Sequence, residues 1–206
     1  MEDNNTFSII IQCIIWIISL FVIYAIYRSG ISIWKSFNNV KYRYLVLMPV
    51  FILIQTLVLN NILFTSYINP LIYLFLIITL PQDIDRWFIL IYSFVLGISL
   101  DILEGNIGLN ASSLVFTAFI TPYIQKITIP NKSIEEKDCL TLETLGIKTF
   151  TLFSFSIILI NHLFFFSLEN FNFSQKLHLL SQTISSSVVT YILILIMQIF
   201  SLKKKK

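Results

Sequence analysis

Charge is scarce in this chain of 206 residues: only 12% are Asp, Glu, Lys or Arg, against about 25% in soluble domains. That balance excludes an ordinary water-soluble globule. Cysteine is nearly absent, with Cys13 inside an apolar run and Cys139 in a charged loop. Two distant cysteines give neither a disulfide framework nor a CxxC metal pair. Glycine is rare, and the spacing of Gly105 and Gly108 fits neither a Walker loop nor a dinucleotide fingerprint. HExxH and GxSxG are missing as well. The start, Met1-Glu2-Asp3-Asn4-Asn5, has no basic n-region and no small-residue cleavage site follows, so the first apolar run is expected to be retained. The formal charge is only +3, and the basic residues lie in short gaps instead of on a face, so nucleic acid is not an expected partner.

What the chain has is hydrophobic length. Apolar residues make up 56% of it, 19 of them Phe, and the mean hydropathy is +0.83. A transmembrane helix needs about 20 mostly apolar residues, which caps the spans in the high single digits. Continuous apolar runs favour helices over the alternating ~10-residue strands of an outer-membrane barrel. The expected fold class is all-α, a polytopic integral membrane protein in the lipid bilayer.

Seven runs qualify, at 7–27, 44–64, 68–80, 87–103, 111–127, 149–168 and 177–202. The third is short and bracketed by Pro70 and Pro81, consistent with a tilted, thin or re-entrant element sheltered by its neighbours. Basic residues are retained on the cytoplasmic side. With the N-terminus outside, the gaps 28–43, 83–86, 126–148 and 203–206 are all cytoplasmic and hold 13 of the 14 Lys and Arg, leaving only Lys176 outside. This bias selects seven crossings with a cytoplasmic C-terminus. Trp34, Tyr42, Tyr44, Tyr67, Trp87 and Tyr123 sit where interfacial aromatics belong.

Asp101 is the foremost candidate, because an ionisable group near the end of an apolar run is costly unless protein or water shelters it. Gly97, one turn earlier, lets a neighbouring helix approach closely. Donors expected to reach the carboxylate are Ser99, Ser112, Ser113 or a backbone N–H. A structural role, buried or capping the turn toward Gly105 and Gly108, outweighs a catalytic one. Gly105-Asn106-Ile107-Gly108 supplies turn residues able to adopt positive φ, and Asn110 is the expected N-cap of the next helix. Asn69-Pro70 marks a turn, with Pro70 suited to the first turn of a helix. Asp85 is placed to cap the helix after Pro81. His162 and His178 have no acid or Cys at i+3 or i+4, and are expected as interfacial hydrogen-bonders. Ser154, Ser156 and Ser185-Ser186-Ser187 are expected on close-packed helix faces rather than around a substrate. No catalytic pair, metal or cofactor is expected.

Over residues 45–127 the chain resembles the rod shape-determining protein family MreD. The resemblance rests on Gln55-Thr56-Leu57-Val58-Leu59-Asn60, Ile68-Asn69-Pro70, Leu80-Pro81 with Arg86-Trp87, and above all Gly97-Ile98-Ser99-Leu100-Asp101 followed by Gly108-Leu109-Asn110-Ala111-Ser112. The run at 7–27 departs from the family, which usually starts near Lys41 with about six spans. The resemblance therefore implies an extra N-terminal helix and basic loop at 1–43 and a six-helix membrane domain at 44–206. It also implies an architecture similar to substrate-binding subunits of energy-coupling-factor transporters. The function implied is a non-enzymatic scaffold of the cell-elongation complex in the bacterial inner membrane. It would bind the bitopic partner MreC and, through it, the MreB filament and peptidoglycan synthases. Asp101, Gly97, Gly108, Asn69, Pro70 and Asn110 would then be structural or interaction residues. A small-molecule uptake subunit is the alternative, and a membrane enzyme comes third.

Overall fold

The computed structural model describes residues 40–59, 68–129, 139–169 and 176–203. The run at 7–27 and the side chain of His178 lie outside the described residues. Every regular element among the described residues is helical, as the composition requires.

The chain divides into two compact units, Met1–Leu63 and Phe64–Lys206. In the first, helix α1 (Val40–Ile54) passes into a wider π-helical stretch, Gln55–Leu59. Pro49 lies inside α1 and lacks the N–H that would close a bond four residues back. Thr56 turns its hydroxyl onto the Ile52 carbonyl, 3.0 Å away, so it adds no polar burden to an apolar helix.

The second unit contains a short helix α2 (Leu74–Ile78) and four long ones: α3 (Arg86–Glu104), α4 (Leu109–Thr128), α5 (Leu142–Glu169) and α6 (Lys176–Lys203). Each long helix packs on the next in sequence, and α2 lies against α5. The four-residue link between α3 and α4 enforces this for the first pair, because a helix joined by a few residues has its predecessor as nearest neighbour. Gly146, at φ 73° and ψ 162°, breaks α5 near its start. Phe116 of α4 stacks on Phe164 of α5 at 4.1 Å between ring centres. Thr151 of α5 and Tyr191 of α6 share a hydrogen bond of 2.8 Å.

The faces are arranged opposite to those of a soluble bundle. On α6 the outward positions Leu180, Ile184, Val188, Ile192 and Ile196 are exposed and apolar, while Thr183, Ser186, Ser187, Thr190 and Gln198 are buried. Helix α3 exposes Ile91, Phe94, Ile98 and Ile102 and buries Ser93 and Asp101. A chain in water would invert this pattern; one in hydrocarbon turns its polar groups onto each other. Four stretches are long and apolar enough to cross a membrane: Val40–Leu57, Arg86–Glu104, Leu142–Glu169 and Leu179–Ser201. Helix α4, with 20 residues, is longer than the first two of these but more polar, carrying Asn110, Ser113, Thr117, Thr121 and Gln125, all buried.

The run at 68–80 departs from a spanning helix. Only Leu74–Ile78 is helical, a rise of about 7.5 Å at 1.5 Å per residue, far below the ~30 Å hydrocarbon core. Residues 68–70 have no regular structure, and the first helical turn begins beyond Pro70. Pro70 therefore does not start a helix as the sequence suggested. Leu74, Leu76, Ile77 and Ile78 are all fully buried, so the broken element is sheltered by its neighbours.

Candidate functional site

Helix α3 ends where it must, at Gly105 in the left-handed conformation (φ 73°), with the amides of Gly105 and Asn106 both returning to the Asp101 carbonyl. This Schellman-type end needs a residue without a Cβ penalty. Gly108, at φ 75°, then turns the chain into α4. The four-residue reversal lays α4 back along α3, and Gly97 decides how closely. A Cβ on Gly97 would lie 2.4 Å from Ala111 Cα and 2.7 Å from Ala111 N. The two backbones are thus in direct van der Waals contact.

Asp101 lies one turn after Gly97 on the same face, 3% exposed. One carboxylate oxygen accepts the amide of Asn110 and the other that of Ala111, each at 2.9 Å. These are N–H groups of the first turn of α4, which have no partner within their own helix. Asp101 therefore caps a helix nine residues downstream, and the positive end of the α4 dipole favours its charge. The expected serine donors do not take part: Ser99 bonds to Val95, Ser112 to Gly108 and Leu109, and Ser113 to Asn110, all carbonyl oxygens. Asn110 is not the N-cap. Gly108 holds that position, and Asn110 lies inside the first turn with its side chain free for other work.

That work links three elements. Asn110 Oδ1 accepts from the Tyr73 hydroxyl at 2.7 Å, and its Nδ2 donates to Glu104 at 2.7 Å. The same Glu104 oxygen accepts Asn106 Nδ2 at 3.0 Å. Tyr73, the residue before α2, is thereby fixed to the α3–α4 knuckle.

Upstream of Tyr73, the non-helical backbone takes its hydrogen bonds from side chains of α5 and α6. The Asn69 amide donates to Ser186 Oγ at 3.0 Å and the Leu71 amide to Thr190 Oγ1 at 3.1 Å. The register is geometric: residues i and i+2 of an extended chain are about 6.6 Å apart, and i and i+4 of a helix about 6 Å. Two hydroxyls one turn apart can therefore serve two alternate amides. His162 closes the other side, with Nε2 3.2 Å from the Asn69 carbonyl oxygen and Nδ1 2.9 Å from that of Ile158. His162 is fully buried, with both ring nitrogens facing backbone carbonyl oxygens. Below α2, the Leu140 amide donates to the Thr79 carbonyl at 3.2 Å, tying the far end of the broken element to the residues that precede α5.

Thr190→Val keeps the side-chain shape and removes the acceptor of the Leu71 amide. Leaving one buried N–H unpaired costs about 1–3 kcal/mol. The expected result is a lower unfolding midpoint in detergent for Thr190→Val than for the exposed control Ile192→Val. Equal midpoints would contradict the role assigned to the hydroxyl.

The structure thus brings together Gly97, Asp101, Gly108 and Asn110 in the knuckle, and Asn69 and Pro70 in the broken element, joined through Tyr73. Tyr73, Glu104 and Thr190 were not foreseen as partners, whereas Ser186 lies on the close-packed face expected of it and His162 is a hydrogen-bonder as expected. The one available signal was the i, i+4 pairing of Ser186 with Thr190 on the face opposite the apolar positions of α6. Asp85 occupies the N-cap position of α3 but makes no capping hydrogen bond with its side chain. Among the described residues, no group of three or more His, Cys, Asp or Glu is placed to hold a metal, and Cys139 is not in a disulfide.

These features define an all-helical, multi-pass membrane protein whose polar groups are turned inward, several of them holding its own backbone. No family profile, curated protein or solved structure matches the chain.

Proposed function

We propose that this chain is an MreD-like, non-enzymatic scaffold of the bacterial cell-elongation complex, in the inner membrane with its C-terminus in the cytoplasm. The observation that carries this reading is the fate of Asp101. Both of its oxygens are engaged by backbone amides of α4. A carboxylate so occupied anchors two helices and is poorly placed for acid–base work, which needs a reachable proton site. The residues behind the resemblance, Gly97, Asp101, Gly108, Asn110 and Ala111, form one interlocked knuckle, which gives their spacing a shared physical purpose.

The six-helix core at 44–206 requires residues 68–80 to cross despite their short helix. An extended chain rises about 3.3 Å per residue, so a partly extended segment covers more depth than a helix of equal length. Its ends favour this: Asn69 is held by His162, late in α5, and Thr79 by Leu140, just before α5 begins. Unwound backbone at membrane depth is tolerated where protein side chains satisfy it. The crossing keeps residues 83–86 on the cytoplasmic side.

As a scaffold, the protein would bind an MreC-like bitopic partner and, through it, the MreB filament and peptidoglycan synthases. Cross-linking in living cells through a C-terminal tag, followed by purification in mild detergent and mass spectrometry, tests this. An MreC-like protein and wall synthases are the expected companions. The second reading is a substrate-binding subunit of a small-molecule uptake transporter, favoured by the broken segment, since such segments line many transporter sites. ATPase subunits with a co-purifying small molecule would establish that reading and overturn the first.

A further inference from the structure

Away from the knuckle, a cleft of about 450 Å³ opens between the start of α3 and the end of α4. Its volume falls within the ~300–1,000 Å³ of small-molecule sites. Its walls carry both signs of charge: Arg86 and Lys126 on one hand, Asp83 and Asp85 on the other. Arg86, Lys126 and Asp83 make no ion pair among the described residues. Gln125 also lines the cleft, is 9% exposed, and its side-chain amide has no hydrogen-bond partner among the described residues. That amide opens onto the cleft, where a polar group supplied from outside can pair with it. Asp85 and Arg86 begin α3, which places the positive end of that helix dipole at the wall. Ile84, Ile89, Pro122 and Ile129 supply the apolar remainder.

The position of the cleft selects its occupant. Trp87, on the first turn of α3, is 78% exposed, and Tyr123 and Ile127, near the end of α4, are 52% and 84% exposed. Trp and Tyr at helix ends mark the depth of lipid headgroups. A mouth flanked by them meets lipid at high local concentration.

We propose that this cleft is a binding site for the headgroup of an aminophospholipid. Its phosphate is taken by Arg86, Lys126 and the amide of Gln125, and its primary ammonium by Asp83 and Asp85. An anionic headgroup lacking the ammonium leaves both carboxylates facing negative charge. A quaternary ammonium cannot donate hydrogen bonds to them. The site therefore ranks phosphatidylethanolamine above phosphatidylglycerol and phosphatidylcholine. This inference does not depend on the scaffold reading.

The test is lipid retention by the full chain, extracted from nanodiscs of equal parts phosphatidylethanolamine, phosphatidylglycerol and phosphatidylcholine and analysed by native mass spectrometry. Partly exposed charge pairs are individually weak, so the expected enrichment of phosphatidylethanolamine is about three- to fivefold. Asp83→Asn with Asp85→Asn removes that preference and raises phosphatidylglycerol retention. Asn remains a competent N-cap, so α3 is not sacrificed. Arg86→Gln with Lys126→Gln lowers retention of all three lipids, and Gln125→Leu does the same. Equal retention of the three lipids by the unaltered protein overturns the proposal, as does an unchanged preference in the Asp83/Asp85 variant. Retention of no lipid, with a charged segment of a partner protein cross-linked at Gln125 instead, also overturns it.

Discussion

Gly97→Ala is expected to be among the most damaging substitutions of a single methyl group in this protein. The added Cβ would meet Ala111 Cα at 2.4 Å, Ala111 N at 2.7 Å and the Asn110 carbonyl carbon at 2.9 Å. All three are backbone atoms, so no rotamer change relieves the contact and the helices must separate. Overpacking typically costs 1–3 kcal/mol. Here the displacement also stretches the two Asp101 bonds one turn away, and the expected loss is about 3 kcal/mol or more. Two comparisons isolate the cause. Gly105→Ala has open space around its Cβ and only the positive φ to oppose it, and is expected to cost about 1 kcal/mol. Ala111→Gly is expected not to rescue Gly97→Ala, because the clash is with the backbone of Ala111 and not its methyl group. Unfolding midpoints in detergent and folded yield measure all three. Rescue by Ala111→Gly would mean that the helices pack less closely than described.

Asp101→Ala removes the acceptors of two buried amides at once. At about 1–3 kcal/mol for each unpaired N–H, the expected loss is roughly 2–6 kcal/mol. Asp101→Asn is informative beside it. Its side chain keeps one acceptor oxygen and presents an N–H₂ group to the other amide, so it should fall between Asp101→Ala and the unaltered protein. Asp101→Glu keeps the charge but extends the carboxylate toward α4, which Gly97 holds too near to accommodate it. The double variant Gly97→Ala, Asp101→Ala should be less damaging than the sum of the two, since both act on one helix contact. Folded abundance and unfolding midpoint report the order. If Asp101→Ala matches the unaltered protein in both, the carboxylate does not hold α4.

The class of the protein was legible in its sequence, and so was part of the site. Scarce charge and continuous apolar runs admit only spanning helices, because hydrocarbon offers backbone groups no water to bond. Gly97 and Asp101, four residues apart, had to share a helix face, and Gly105 and Gly108 had to turn the chain. Asn110 was misplaced by one turn of logic. Asn is an apt N-cap by type, but the Asp101 carboxylate takes the amides that a local cap would serve, and Gly108 supplies the backbone turn.

The run at 68–80 was legible only as a short, sheltered element, and its broken form was not. Leu, Ile, Tyr and Phe suit a buried helix and a buried extended segment equally, and 13 residues fit either. What separates them is where the amides of Asn69 and Leu71 find acceptors. Those lie 117 and 119 residues away, on Ser186 and Thr190. Local pattern carries no trace of such a pairing.

Composition and periodicity therefore determined by themselves that the chain is helical and lives in a bilayer, because the cost of exposing polar groups to lipid acts on every residue independently. Which polar groups meet was decided only by the tertiary structure. Hydrogen bonds in a dry interior are short and directional, and their partners are brought together by the packing of α3 on α4 and of α5 on α6.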